Sequence, residues 1–194
     1  MPQNHQNRYF ISIVVLSLLT VGLFVLSIFF VILPRFEKTI MAGKKEMISE
    51  LTRSVCSLIE EYHQEAESSR LNQDSARAMA LERVREMRYG QELKDYFWII
   101  DMHPRMIMHP YQPELVGSDL NAYVDPNGKL LFVESVKAVS EHGEGFIDYM
   151  WQWKDDSTRI VPKLSYVKAY ESWDWIVGTG IYLEDVRTEI RLLR

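Results

Sequence analysis

The sequence predicts an α+β domain with a five-stranded antiparallel sheet, preceded by a single membrane-spanning helix. Three observations indicate this organisation. Residues 10–33 form an uncharged apolar run, residues 35–67 carry apolar side chains at helical spacing, and the sequence after residue 94 alternates aromatic or β-branched segments with turn residues. Helices followed by hairpin-connected strands are typical of the α+β class rather than of alternating α/β folds.

The apolar run at residues 10–33 has the length of a membrane anchor. Its 24 residues contain no charge, and at a helical rise of about 1.5 Å per residue they cross the roughly 30 Å hydrocarbon core with some tilt. Pro34, Arg35 and Phe36 follow the run, in place of the small residues of a signal-peptide cleavage site. We therefore expect an uncleaved helix in contact with membrane lipid, with residues 1–9 as a short cytoplasmic amino terminus.

The charges beyond the apolar run limit the functional classes. All 27 acidic residues follow residue 33, and so do 21 of the 22 basic residues. This part of the chain is therefore net negative, and nucleic acid is not an expected partner. The positive-inside rule taken alone places the domain in the cytoplasm, because four lysine or arginine residues follow the run closely and only Arg8 precedes it.

Two helices are predicted between the apolar run and the strands. Apolar side chains recur at spacings of three, four and seven through residues 35–67, which indicates one apolar helical stripe. Such a stripe packs on its own domain or forms half of a dimer interface, and we expect a homodimer. The dimer interface would contain Met47, Leu51, Val55 and Leu58. Asp74 is predicted to cap a second helix that extends to Met87.

Five strands and two further helices account for the remaining residues. The strands are predicted at residues 96–101, 105–109, 146–153, 160–170 and 173–183, and the helices at residues 130–141 and 184–194. The last of these leads back towards the membrane. We expect the long helix to cover one face of the sheet and the segment 110–142 to lie over the other face. A ligand pocket is expected between that segment and the sheet.

The first predicted hairpin carries polar side chains suited to anion binding. Since strand side chains alternate, Arg105, Ile107 and His109 are predicted to share one face, as are Tyr96 and Trp98 on the neighbouring strand. A guanidinium binds a carboxylate through two parallel hydrogen bonds and an imidazole adds a donor, so the pair suits a small organic anion. The alternative is a surface arginine paired with an acid and a histidine that caps a loop.

A further basic group lies in the middle of a later predicted strand. The neighbours of Lys163 are apolar or aromatic, and a bare ammonium in such surroundings is costly without a partner. Tyr149 on the adjacent strand offers a hydroxyl. In the alternative interpretation, Lys163 extends to the edge of the sheet and Tyr149 is a core side chain.

No motif in the sequence indicates an enzyme, a metal site or a cofactor. Neither Gly-x-Ser-x-Gly nor His-Glu-x-x-His occurs. The residues from Asp125 resemble the start of a calcium loop, but Leu130 and Val136 stand where that loop requires glycine and glutamate. We therefore expect no catalytic residue, no metal ligand and no cofactor.

Five short motifs occur in a fixed order in the second half of the chain. They are Tyr96-Phe97-Trp98-Ile99, Met108-His109-Pro110, Gly145-Phe146-Ile147-Asp148-Tyr149, Pro162-Lys163-Leu164-Ser165-Tyr166-Val167-Lys168 and Trp175-Ile176-Val177-Gly178-Thr179-Gly180-Ile181-Tyr182. In this order they resemble the single Cache domain of the second type, the extracytoplasmic sensor module of bacterial methyl-accepting chemoreceptors and sensor histidine kinases. The resemblance covers residues 35–190.

This resemblance implies a PAS-like fold with a long amino-terminal helix and a pocket over the sheet for a short carboxylate, such as acetate, propionate, pyruvate or lactate. It also implies that the domain lies outside the inner membrane and faces the periplasm or cell exterior, whereas the positive-inside rule taken alone places it in the cytoplasm. The implied carboxylate contacts are Arg105, His109, Tyr149 and Lys163, with Trp98 and Tyr166 as pocket walls.

The resemblance also implies a role in chemotaxis or two-component signal transduction, with no enzymatic activity. Members of the family usually continue through a second membrane helix into a signalling region, whereas this sequence ends at Arg194. We therefore expect a fragment or, failing that, a sensor without its own output. The alternative function is that of a membrane-anchored interaction or adhesion protein with no small-molecule ligand.

Overall fold

The computed structural model describes residues 3–192 of the chain. Residues 1–2 of the predicted cytoplasmic segment and residues 193–194 of the predicted final helix lie outside the described residues. By its internal contacts the chain divides into two units, residues 1–43 and residues 44–194.

The first unit is helical along its described length. It contains α1 (Gln3–Ser27), one π-helical segment (Ile28–Ile32) and the first residues of α2 (Leu33–Glu67). None of the side chains in its most apolar stretch is buried. Its length and composition are those of a helix that crosses a membrane.

The second unit contains the rest of α2, a six-stranded antiparallel sheet and three further helices. In chain order these are α3 (Gln73–Glu86), β1 (Arg88–Tyr89), β2 (Asp95–Asp101), β3 (Met106–Met108), a 3-10 turn (Pro113–Leu115), α4 (Leu131–His142), β4 (Glu144–Trp153), β5 (Asp156–Tyr170), a second 3-10 turn (Glu171–Trp173), β6 (Trp175–Tyr182) and α5 (Leu183–Leu192). The α+β class and the long amino-terminal helix predicted from the sequence are confirmed.

The strand order is β1-β2-β6-β5-β4, with β3 paired to β2. The predicted count of five strands was one too low, because β1 has two residues and is too short to show an alternating pattern. Gly90, at a φ of +77°, turns the chain from β1 into β2. A side chain on Gly90 would collide with the carboxylate of Asp95.

Two apolar clusters cover opposite faces of the sheet. On one face, α2 and α3 pack against side chains of β2 and β6 that include Phe97, Ile99 and Val177. On the other face, α4 and the loop before it pack against Trp98, Ile100 and their neighbours. The second face therefore contains the layer in which a pocket was predicted.

Two details of the helices differ from the sequence prediction. Val55 is fully buried against the sheet, so it does not belong to the predicted dimer interface. Asn72, rather than Asp74, caps α3, since its side-chain oxygen accepts a 2.7 Å hydrogen bond from the backbone N–H of Ser75. The cap lies two residues earlier because Asp74 is already within the first helical turn.

Candidate functional site

A small cavity lies between the sheet and α4. About 160 Å³ of space lies between its atoms, packed too closely to hold a water molecule, and its lining consists of Trp98, His109, Leu131, Phe132, Tyr149 and Trp151. Three of these, Trp98, His109 and Tyr149, are among the predicted site residues. The lining is mostly aromatic, with a few polar atoms, which is the usual composition of a small-molecule site.

Strand register brings the polar side chains of this face together. Tyr149 on β4 is opposite Lys163 on β5, and Lys163 is opposite Tyr182 on β6. Because residues opposite each other in an antiparallel pair point to the same face, the three side chains form one row. Lys163 does not line the cavity itself, but it is the direct neighbour of Tyr149, which does.

Trp98 lies flat across β6 at the position of a glycine. Its register partner is Gly178, and a Cβ added to Gly178 would lie 2.3 Å from Cζ2 of the indole. The absence of a side chain at residue 178 therefore creates the space for the cavity wall.

His109 is held by the backbone of the loop that follows it. Its Nδ1 accepts hydrogen bonds from the N–H groups of Tyr111, at 3.2 Å, and Gln112, at 2.9 Å. Burial, followed by the charge of Lys163, lowers the pKa of His109 well below the usual value. A neutral imidazole whose Nδ1 accepts must carry its proton on Nε2, so His109 presents an N–H donor on its cavity side.

Three buried polar groups on this face make no hydrogen bond of good geometry within the described part of the chain. They are His109 Nε2, Trp98 Nε1 and the hydroxyl of Tyr96. Tyr96 contacts His109 with ring centroids 4.9 Å apart. Trp98 still lies near the hydroxyl of Tyr149, and Tyr96 near that of Tyr182, so His109 Nε2 is the donor most clearly without a partner. Because buried donors are almost always paired in folded proteins, this group is a candidate place for a ligand with acceptor oxygens.

Lys163 adds a buried positive charge to these donors. The residue is 1% exposed, and its ammonium lies 4.1 Å from the ring centroid of Tyr96 and 4.9 Å from that of Tyr182. No carboxylate in residues 3–192 forms a salt bridge with it. Burial lowers the pKa of Lys163 to about 7, and the charge of Asp95 opposes this shift.

The structure does not bring Arg105 to this cluster. Ile99 and Ile100 of β2 pair with Met108 and Met106, so Ile107 is an extra residue in β3 and forms a β-bulge. The bulge interrupts the alternation on which the predicted pairing of Arg105 with His109 depended. Arg105 is exposed, and its guanidinium donates a 3.3 Å hydrogen bond to the carbonyl of Gly117.

Tyr166 lies on the opposite face of the sheet, so it is not a wall of this cavity. Its ring packs against Phe146, and its hydroxyl accepts a 3.3 Å hydrogen bond from Arg53 of α2. Tyr166 and Lys163 are three residues apart on β5, and an odd separation in a regular strand places side chains on opposite faces.

Some residues of the site were missed in the sequence. Trp151 lies two residues after Tyr149 on β4, so alternation alone was a signal for it. Placing Tyr182 beside Lys163 requires the register of β5 with β6, and placing Gly178 under Trp98 requires the register of β2 with β6. No local sequence pattern shows either register. Phe132 reaches the cavity from α4, and nothing in the sequence distinguishes it from other core residues.

A larger open groove, about 1010 Å³ by the same measure, lies between α2 and the end of β5. Three of its charged side chains have partners within the protein: Glu60 accepts from Tyr170, while Arg53 and Lys168 both pair with Glu144. Because both of its basic groups are already paired with a carboxylate, this groove is a weaker candidate for an anion site than the cavity under α4.

The fold is an α+β domain with a small cavity over an antiparallel sheet, and comparison with known proteins identifies its family. The sequence model of the family described as Single Cache domain 2 matches residues 40–192. The chain therefore belongs to the single Cache domain 2 family. The predicted resemblance is confirmed.

Relatives with curated names are signalling proteins of bacteria. The methyl-accepting chemotaxis protein McpP of Pseudomonas putida is 35% identical over 147 residues, which are 76% of this chain and 26% of McpP. The sensor histidine kinase MctS of Rhizobium johnstonii is 31% identical over 151 residues, which are 78% of this chain and 31% of MctS. The chain thus spans less than a third of the length of either relative.

Solved structures of similar sequence share the fold. A periplasmic sensor domain of a chemotaxis protein is 41% identical with a TM-score of 0.70, and the match covers 74% of this chain and 97% of that one. A Cache chemosensory domain described by its recognition of carboxylic acids is 33% identical with a TM-score of 0.71, and the match covers 75% and 97% of the two chains.

Proposed function

We propose that the second unit of this chain binds a short-chain carboxylate and acts as the sensor domain of a chemotaxis or two-component signalling protein. The observation that carries the proposal is the buried ammonium of Lys163, which has no salt-bridge partner among the described residues, near the buried Nε2 of His109, which has no hydrogen-bond partner there. A carboxylate offers about four acceptor positions and one negative charge. It would pair with Lys163 and accept hydrogen bonds from His109 Nε2 and from Trp98 Nε1.

The cavity walls favour a small acid. Leu131, Phe132 and Trp151 present apolar surface opposite the donors, which suits a short alkyl or 2-oxo chain rather than a second charged group. We propose acids of two to four carbons, such as acetate, propionate, pyruvate or lactate. The similar Cache domain that recognises carboxylic acids supports the same class.

No chemical step is proposed. The relatives are sensor proteins, and the donors at the cavity suit binding of an anion without a nucleophile to attack it. The domain is therefore proposed as a non-enzymatic binding module.

We propose that residues 10–33 anchor the protein in the inner membrane and that the domain faces the periplasm or cell exterior. The output would leave through α5, which lies directly after Tyr182 of the site. Lys44 of α2 forms a 2.7 Å salt bridge with Glu189 of α5, so the two helices that connect to the membrane are in contact within the second unit. A homodimer remains part of this proposal.

Calorimetric titration of the full chain in detergent with acetate, propionate, pyruvate and lactate tests the function. Charge-assisted hydrogen bonds contribute about 1.5–3 kcal/mol each. We expect stoichiometric binding of at least one acid and a loss of affinity of roughly ten- to a hundredfold in Lys163→Met.

Lys154→Met is the matched control. Lys154 is also a buried lysine, but it pairs with Glu92 at 3.2 Å and Asp185 at 3.4 Å, so its removal should leave the affinity within about twofold. No binding of any of the four acids by the folded wild-type chain would refute the proposal and favour the interaction or adhesion function.

A further inference from the structure

We propose that the sensor takes up one proton together with each carboxylate, so that it reports the acid and the ambient pH jointly. The proton comes from the solvent and binds the lone pair of Lys163 Nζ as the anion enters. No bond of the acid is made or broken. This inference rests on the proposed function, because it concerns the same site.

The first observation is that the fold places the lysine in surroundings that oppose its charge. Lys163 is 1% exposed and lies in the centre of the sheet. Its Nζ contacts the rings of Tyr96 and Tyr182, and cation–π contacts of this kind offset only part of the loss of water around a buried ammonium. The free protein therefore favours the neutral amine more than an exposed lysine does.

The second observation is that no carboxylate of residues 3–192 lies within salt-bridge distance of Lys163, although the charge of Asp95 acts on it from farther away. The ionisable groups that face Lys163 or its surroundings are Asp95 and Tyr96 on β2, His109 after β3, Tyr149 on β4 and Tyr182 on β6, with Glu92, Lys154 and Asp185 around Asp95. From α4, the buried side chains are Leu131, Phe132, Ser135 and Val139. None of these four is ionisable.

These neighbours do not titrate in place of the lysine. Burial raises the pKa of Tyr96, Tyr149 and Tyr182, so the three phenols are neutral near pH 7. Asp95 is beyond salt-bridge distance of Lys163, and burial raises its own pKa. His109 is neutral as well, because its pKa lies well below the usual value.

A bound carboxylate shifts the protonation equilibrium of Lys163 from the neutral amine to the charged ammonium. An anion next to the amine favours the charged form and raises the pKa of the lysine above the value that the protein groups alone give it. With a pKa of about 7 among the protein groups, the lysine is mostly neutral at pH 8 and mostly charged at pH 6. The complex holds more protons than the free protein, so affinity is greatest below pH 7 and falls as the pH rises through and beyond that value.

Calorimetry in two buffers measures this proton directly. The full chain in detergent is titrated at pH 8 with whichever of acetate, propionate, pyruvate or lactate it binds, once in phosphate and once in Tris. We expect the binding enthalpy at pH 8 to differ between the buffers by an amount that corresponds to most of one proton taken up per acid. The affinity should fall several-fold between pH 7.5 and pH 8.5.

Two variants locate the proton. In Lys163→Met the residual binding should show no buffer dependence, whereas Lys154→Met, which removes a buried lysine that has carboxylate partners, should keep the full uptake. If Lys163→Met does not fold, lysine carbon NMR of the wild-type chain replaces it. One lysine should then titrate near pH 7 without acid and at higher pH with acid.

The outcomes separate the two proposals. Binding with equal enthalpy in both buffers at pH 8, or no lysine that titrates near pH 7, overturns the proton uptake and leaves carboxylate binding intact. Uptake that persists in Lys163→Met overturns the assignment to this lysine. If none of the acids binds, the proposed function fails and the proton uptake fails with it.

Discussion

The Nδ1 atom of His109 accepts a 2.9 Å hydrogen bond from the backbone N–H of Gln112, while the Nε2 atom of the same ring lies buried without a partner at the cavity. One imidazole thus fixes the loop that begins over the sheet and presents a donor to the ligand site. The two roles use different atoms, so they can be separated by substitution.

His109→Asn should separate loop anchoring from ligand binding. The side-chain oxygen of asparagine occupies nearly the position of Nδ1 and still accepts from the loop, but nothing replaces Nε2. We expect a free energy of unfolding within about 1 kcal/mol of the wild type and a loss of carboxylate affinity of about tenfold.

His109→Ala is the comparison for that variant. It leaves the N–H groups of Tyr111 and Gln112 without their acceptor, so the free energy of unfolding should fall by about 1–3 kcal/mol in urea denaturation. Equal stability of the alanine and asparagine variants would show that the Nδ1 hydrogen bonds do not hold the loop.

Gly178→Ala should displace Trp98 and disturb the cavity. The new methyl group would overlap the indole ring, and overpacking of this kind costs typically 1–3 kcal/mol. Urea unfolding monitored by tryptophan fluorescence would measure the cost.

Gly43→Ala is the matched control, because a Cβ at Gly43 meets nothing within 4 Å. Alanine is the better helix former, so this variant should be as stable as the wild type or more stable by up to about 1 kcal/mol. An equal effect of the two substitutions would contradict the close contact between Gly178 and Trp98.

Glu144 should make the second unit sensitive to acid. Lys168, Tyr166 and Arg53 lower the pKa of its carboxyl to about 2. A lowered pKa contributes stability that is fully present above the pKa of the unfolded chain, near 4.3, and is lost as the pH falls towards 2. Since the carboxylate is about one-third exposed, we expect about 1–2 kcal/mol, after allowance for solvent screening.

Urea unfolding between pH 6 and pH 2 measures this contribution. Glu144→Gln should be less stable than the wild type at pH 6 and should lose less stability as the pH falls. Glu50→Gln removes only the more exposed partner of Arg53 and should keep the wild-type slope. Parallel stability curves for wild type and Glu144→Gln would disprove the role of this carboxylate.

A reporter fusion decides the orientation of the domain. A phosphatase that is active only in the periplasm, fused after Arg194 of the single-span chain, should be active in a bacterial host. The same reporter at the amino terminus should be inactive there. The opposite pattern would place the domain in the cytoplasm, as the charges of Lys44 and Lys45 suggest by themselves.

Local patterns in the sequence were sufficient for the elements and for half of the site. The 24 uncharged residues, the helical stripe and the alternating segments depend on near neighbours in the chain, and these predict α2, α4 and the strands within a few residues. Lys163 was predicted to be a ligand contact because an ammonium among apolar strand neighbours is costly without a partner, and this stays a prediction. Side chains alternate along a strand, so Tyr166 and Lys163, three residues apart, point to opposite faces of the sheet. The prediction that both contact one pocket was therefore inconsistent with this alternation.

Tertiary structure alone decided which side chains meet. The bulge at Ile107, which moves Arg105 away from His109, depends on how β3 pairs with β2. The contact of Lys163 with Tyr182 depends on the register of β5 and β6, and the space for Trp98 depends on Gly178 of a strand distant in sequence. Register is set by pairing between segments far apart in the chain and by the packing of whole faces, so no single segment carries that information.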